Sequence, residues 1–240
     1  MWLVLCEAND ISALWAGRGM RARGLKPVEF VSPVELACAP LIEYRAGDGS
    51  EACASAELSS GRRIEVRRLL GTLNRAGAID YPQVRRAQPA DRAYVQAEMD
   101  AITLAWLGAL PAPVFNPVHP SGWGGAQSHP FAWALRAQAA GFLTAPHRCG
   151  HSGMEIPIPS EGFHTTVHLV LGDRTFPALP KGLESAGVRL ARSVNLPLLG
   201  IVLHWTQDGQ ALFAGATPTP DLRVGGDVFL DALTAAFTAR

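Results

Sequence analysis

Lysine is nearly missing from this 240-residue chain: Lys26 and Lys181 are the only two, and none lies between Pro27 and Pro180. A mechanism that rests a lysine amine on a phosphate has almost nowhere to draw it from. A surplus of charge is missing too. The 21 basic and 21 acidic residues cancel to a formal net charge of +0. That excludes a general nucleic-acid binder, which needs positive charge to displace counterions. The one basic run, "RRIEVRR" (Arg62 to Arg68), reads as an exposed strand with solvated arginines. No apolar run approaches the ~20 residues of a membrane span, so no membrane partner is expected. "MWLVLCEAND" has no basic stretch ahead of its apolar residues, so no signal peptide is expected. Paired cysteine spacing is also absent. Cys6, Cys38, Cys53 and Cys149 are scattered and read as reduced, mostly structural thiols of a cytoplasmic protein.

What is present is enough apolar residue, 48% of the chain, to build real cores. The first half alternates. "WLVLC" is a buried strand, and "ISALWAGRGMRARG" a helix capped by Asn9 or Asp10 and stopped at Gly24. "PVEFV" is a second strand. "SPVELACA" is a helix with Ser32 as cap and Pro33 in its first position. Such alternation predicts parallel strands with helical crossovers. "SAELSSGRRIEV" predicts a hairpin at Ser60-Gly61, and "RLLGTLNR" a strand ending at Asn74 and Arg75. "DRAYVQAEMDAITLAWLGAL" is the longest helix, capped by Asp91. Val95, Met99, Ile102, Trp106 and Leu110 form its apolar stripe, and Trp106 reads as core. A short strand over Val114 to Asn116 enters a Pro/Gly-rich loop, and the domain boundary is placed here: 1–112 as an N-terminal Rossmann-like α/β domain, 113–240 as a second domain.

The second domain opens with a helix over "SHPFAWALRAQAAG", capped by Ser128 and stopped at Gly141. "APHRCGHSGMEIPIPSEG" reads as irregular. In the strand "FHTTVHLVLGD", Phe163, Thr165, Val167, Leu169 and Leu171 share one face and His164, Thr166 and His168 the other. A helix covers "GLESAGVRLARSV". "LLGIVLHW" and "QALFAGA" pair across Asp208-Gly209, and "DVFLDALTAAFTA" is a closing helix. No internal repeat is visible.

This order of elements, with "PVFNP", "HLVLGDRTF", a hairpin containing "DGQALF" and the strand end "AGATPTPD", resembles the ATP-grasp family, in its branch that modifies ribosomal peptides or ligates amino acids. The resemblance covers most of the chain and implies a Rossmann-like (pre-ATP-grasp-like) domain followed by a shortened ATP-grasp-like α+β domain. It also implies ATP-driven ligation of a carboxylate to an amine, with ATP and magnesium as cofactors. Magnesium would be held by acidic residues, because hard cations take oxygen ligands. The family's Glu-x-Asn-Pro pattern falls on Gly215, Ala216, Thr217 and Pro218, where only the proline matches. An upstream family aspartate falls near Val202 or Leu203. The nucleotide-covering lid would lie in the 17 residues from Pro146 to Gly162, too few for a lid sheet.

Candidate ligand-binding residues are Asn74 and Arg75 at a strand end, Arg174, and Thr217, Asp221 and Arg223 at the "AGATPTPD" strand end. The plain alternative for the last group is an Asp/Pro turn with a surface ion pair. Candidate zinc ligands are His147, Cys149 and His151, completed by His164 and His168, since imidazole and thiolate suit that ion. A hydrolase using Cys149 lacks a helix start to lower its pKa. "GWGG" (Gly122 to Gly125) is a weak phosphate cradle without the usual lysine. Three readings follow: a degenerate ATP-grasp-like protein that binds a peptide or protein partner beside an active enzyme, an active ligase with unusual ligands, or a metal-binding protein. Self-association into a homo-oligomer is compatible with each.

Overall fold

The computed structural model describes residues 1–47, 50–145, 148–150, 153–155 and 164–239, without the side chains of 46, 47, 50–52, 148–150 and 153–155. The chain divides into two compact units, Met1–Gly125 with Leu233–Arg240, and Ala126–Ala232.

The first unit contains β1 (Trp2–Leu5), α1 (Ile11–Ala22), β2 (Val28–Val31), α2 (Pro33–Ala37), β3 (Leu41–Gly47), β4 (Ser50–Glu57), β5 (Arg63–Glu65), β6 (Gly71–Asn74), α3 (Pro82–Arg86), α4 (Arg92–Gly108) and β7 (Val114–Phe115). A parallel sheet runs in the order β2-β1-β6-β7, as the alternation of strands and helices predicts. Asp10 caps α1 by accepting from the Ala13 amide. Ser32 and Glu35 form a full capping box on α2, satisfying two amides that the first turn leaves without partners. Trp106, fully buried, packs with Leu3, Leu5, Ile64 and Leu107 in the core. β7 lies just beyond residue 112 and pairs with β6 in this unit.

Three features depart from the sequence reading, one of them the short helix α3, which the sequence did not reveal. Asp91 makes no side-chain cap on α4. β3 is a strand that the sequence did not reveal, the outer member of an antiparallel sheet ordered β3-β4-β5. Its alternation is blurred because Leu41 lies on the polar face, 43% exposed. The β4–β5 hairpin turns through Gly61 at φ +78, as expected.

The second unit contains α5 (Pro130–Ala140), β8 (Arg148–Gly150), β9 (Gly153–Glu155), β10 (His164–Leu171), β11 (Arg174–Phe176), α6 (Glu184–Ser193), β12 (Leu198–Trp205) and β13 (Ala211–Thr217). α7 (Gly226–Thr238) begins in this unit and ends in the first, where Phe237 packs edge-on against Trp2 and Phe115. An antiparallel sheet runs β11-β10-β12-β13. α5 is capped by the His129 side chain rather than by Ser128, whose hydroxyl is taken by Arg136. The interval Pro146 to Gly162, read from sequence as irregular and too short for a lid sheet, includes among its described residues the antiparallel pair β8–β9, with Cys149 opposite Met154. Strands of three residues are too short to show a period in the sequence.

Candidate functional site

The β12–β13 hairpin turns through Gly209 at φ +82. Its register sets Gly200 opposite Thr217, Val202 opposite Gly215 and Leu203 opposite Phe213, with an irregularity after Val202 that leaves Ala214 extra. Directly paired residues point to the same side of a sheet. Leu203, Phe213, Ile201 and Val170 therefore share one face, and they are buried with Trp133, Ala137 and Leu190 from α5 and α6. Gly200, Val202, Gly215 and Thr217 share the other. Leu169, Leu198, Leu222 and Phe229 are fully buried, and the 3-10 turn Leu222–Gly225 lies close enough to β10 that a Cβ at Gly225 would meet Leu169. The other end of this face, with Thr165, Val167, Val202 and His204, is exposed or half-buried. Thr165 Oγ1 and His204 Nδ1 are hydrogen-bonded there, 3.0 Å apart.

The strand end "TPTPD" folds back over this face. Thr217 Oγ1 accepts from the Thr219 amide at 3.2 Å. Pro220 seats directly on Gly200, where a Cβ would come within 2.5 Å of the proline ring. Asp221 caps the 3-10 turn through the Arg223 amide and holds the Arg223 guanidinium at 2.7–3.1 Å. Asp221 and Arg223 are thus paired with each other, which is the turn-and-ion-pair arrangement.

Of the two positions near which the resemblance places an upstream aspartate, Val202 lies opposite Gly215 on this face and Leu203 faces the core. The three side-chain positions brought together are thus valine, glycine and threonine. A hydroxyl alone does not hold Mg²⁺, which needs carboxylate and phosphate oxygens. Val202, Gly215 and Thr217 do not supply the oxygen ligands that a magnesium–nucleotide complex takes.

The remaining candidates are dispersed. Asn74 is fully buried. Its Nδ2 donates to the carbonyls of Asn116 (2.9 Å) and Trp123 (2.7 Å), and its Oδ1 accepts from the Ala76 amide (3.1 Å). Arg75 is 5% exposed and bound to Asp10 at 2.7 Å. Arg174 lies over the Phe176 ring, 4.9 Å from its centroid. His164 is exposed and stacks on Trp205 at 5.5 Å. His168 is buried. Its Nδ1 bonds the Pro177 carbonyl and its Nε2 the Thr166 hydroxyl, both at 3.0 Å. A carbonyl only accepts, so Nδ1–H donates to Pro177, while Nε2 is taken up by the Thr166 hydroxyl. Thr166 in turn accepts from Trp205 Nε1 at 2.9 Å. This closed network leaves no lone pair on His168 for an ion. His147 and His151 lie outside the described residues, as does the Cys149 side chain. Among the described residues no group of three potential ligands is assembled. Cys6 is unsuited to nucleophilic work: burial first, then the Asp10 carboxylate, pushes its thiol up to about 11. His204 and Trp205 escaped the sequence reading.

A consequence for His168 can be checked. Replacing it with phenylalanine should cost about 1–3 kcal/mol, because the Pro177 carbonyl and Thr166 hydroxyl lose their partner. The drop in melting temperature should be the same with and without a chelator. A drop seen only in metal-loaded protein would return His168 to the zinc ligands.

The architecture has solved counterparts. The macrocyclase MdnC of Microcystis aeruginosa MRC, bound with the precursor peptide MdnA, superposes with a TM-score of 0.71 at 10% identity, over 99% of this chain and 99% of that one. A RiPP-associated ATP-grasp ligase of Chryseobacterium gregarium, in complex with ADP and a leader and core peptide, gives 0.67 at 8% identity over 98% and 95%. The ATP-grasp ligase PsnB, complexed with minimal precursor, Mg and ADP, gives 0.66 at 12% over 99% and 98%. This chain has an ATP-grasp fold. No family model matches its sequence, and no curated protein does. In this chain β10, β12 and β13 pair in one antiparallel sheet, and the positions that the resemblance implies for metal carry Val202, Gly215 and Thr217. No helix among the described residues is long and apolar enough to cross a membrane.

Proposed function

We propose that this chain is a degenerate ATP-grasp-like protein that binds a peptide or partner protein beside an active enzyme and no longer carries out phosphoryl chemistry. One observation carries the reading: the strand register that gathers Val202, Gly215 and Thr217 on one face brings no carboxylate with them. Peptide as the ligand class draws on the fold neighbours, several of which hold precursor peptides.

Calorimetry with Mg-ATP should give no saturable heat up to about 1 mM. A dissociation constant in the low micromolar range would overturn the reading and favour an ATP-dependent carboxylate-amine ligase with unusual ligands. That second reading is supported by β8–β9, a strand pair in the interval where the resemblance implies the lid.

A further inference from the structure

The parallel sheet β2-β1-β6-β7 buries Leu3, Leu5 and Val31 with Trp106 on one face. By alternation its other face carries Trp2, Val4 and Phe30. α1 lies on this second face, so close that a Cβ at Gly17 would meet Phe30 and Val4. The end of α7 lies on it too, through Phe237 against Trp2 and Phe115.

α1 buries Ser12, Ala13, Ala16, Gly17 and Met20. At 3.6 residues per turn this leaves Ile11, Leu14, Trp15, Arg18, Arg21 and Ala22 on its outer side. Ile11 is 64% exposed. Arg18, Arg21 and Ala22 are exposed, and Leu14 and Trp15 are half-buried. The outer strip is divided along the helix axis, apolar through its first half and basic through its second. Lys26, also exposed, extends the basic end past the helix.

No carboxylate balances that end. From Ile11 to Val28 the chain contains no aspartate or glutamate. Arg21 donates to the Val28 carbonyl at 2.6 Å, which fixes the guanidinium near Lys26 and leaves its charge in place. Arg18 and Lys26 make no hydrogen bond or ion pair among the described residues. Asp10, at the helix start, is held by Arg75 and lies about 12 Å along the helix from Arg18, beyond the ~8 Å screening length of physiological salt. Glu29 turns to the opposite face of the sheet, where Arg62 holds it at 3.1 Å. The end of α7 in this unit, Leu233 to Ala239, carries no charged side chain, and the aspartates of that helix belong to its start, in the second unit.

A helix that lies on a membrane separates apolar from basic residues around its circumference, and a nucleic-acid backbone takes a continuous basic track. α1 does neither. Its apolar stripe is buried on the sheet, and its outer strip separates apolar from basic end to end. Such a strip matches a chain segment carrying apolar residues and then carboxylates within about 18 Å, the length of a 12-residue helix. Tryptophan and arginine are also the side chains that contribute most at protein interfaces.

We infer that the outer side of α1 docks an acidic, partly apolar segment of the peptide or protein partner, its carboxylates on Arg18, Arg21 and Lys26 and its apolar residues over Ile11, Leu14 and Trp15. This deepens the partner-binding proposal and rests on it, but the two fail separately. The probe is a fluorescein-labelled peptide with leucines in one half and glutamates in the other, followed by anisotropy at low salt. It should bind the full chain and weaken with salt. Versions with glutamine for glutamate, or serine for leucine, should bind about tenfold or more weaker. Arg18→Glu with Lys26→Glu should lose about tenfold or more, while Arg192→Glu, an exposed change on α6, should not. If the double variant melts early, Arg18→Gln carries the comparison. No saturable binding up to about 1 mM, or undiminished binding to the double variant, would overturn the assignment of this face and leave the partner-binding proposal standing. Phosphatidylserine vesicles that bind the wild type and not the double variant, and that the peptide does not displace, would make the strip a lipid site and overturn peptide docking. Self-association in sedimentation that the double variant loses would give the strip to a second copy and overturn it likewise. Mg-ATP binding by calorimetry would overturn the degenerate reading without touching this face.

Discussion

Trp106→Ala is expected to cost roughly 3–5 kcal/mol of unfolding free energy. Trp106 is fully buried and packs with Leu3, Leu5, Ile64, Leu107 and Leu110. Truncation removes the largest side chain of that core and leaves a cavity that α4 and two sheets are too constrained to fill. For a chain of this size the melting temperature should fall by roughly 6–20 °C. The buried indole Nε1 has no hydrogen-bond partner among the described residues. Trp106→Phe should therefore cost much less, since packing is lost but no hydrogen bond is. Denaturant titration of the three proteins checks both statements. A loss below about 1 kcal/mol for Trp106→Ala would place the residue outside the core.

Asn74→Ala is expected to cost roughly 2–4 kcal/mol, far more than loss of a ligand-contacting amide would. Its side chain satisfies two buried carbonyls, on Asn116 and Trp123, and the Ala76 amide. The loop it pins is otherwise unfavourable in places. Asn116 sits at φ +64, and Gly124 approaches the Ala76 carbonyl so closely that a Cβ would come within 2.6 Å. Asn74→Asp tests the same idea without changing shape. A carboxylate can still accept from Ala76 but cannot donate to the two carbonyls, so it should be at least as destabilising as alanine. Thermal unfolding of both variants reads this out. If both unfold like the wild type, Asn74 is available for the binding role that its place at a strand end suggests.

Local chemistry was readable from the sequence wherever the next few residues decide the conformation. Ser32-Pro33 announced a helix start, and the helix is there, its cap completed by Glu35. Gly24, Gly61, Gly141 and Gly209 all take positive φ where turns or helix ends were expected. The stripe through Trp106 located a core because a 3.6-residue period needs no tertiary information. Side-chain identity also settles that no fold can supply a carboxylate from Gly215 or Thr217. Tertiary structure decided the rest, because pairing across long separations is invisible to local pattern. Register chose Val202 over Leu203 as the position facing Gly215. It closed His168 into a network with Thr166, Trp205 and Pro177, so a histidine that resembled a zinc ligand is a satisfied interior residue. It turned Asn74 from a strand-end candidate into a pin for a distant loop. And it gathered Arg45 and Arg63, 18 positions apart in sequence, around the single carboxylate of Glu43. In the run Arg62 to Arg68, Arg63, Arg67 and Arg68 remain exposed, as the sequence reading expects.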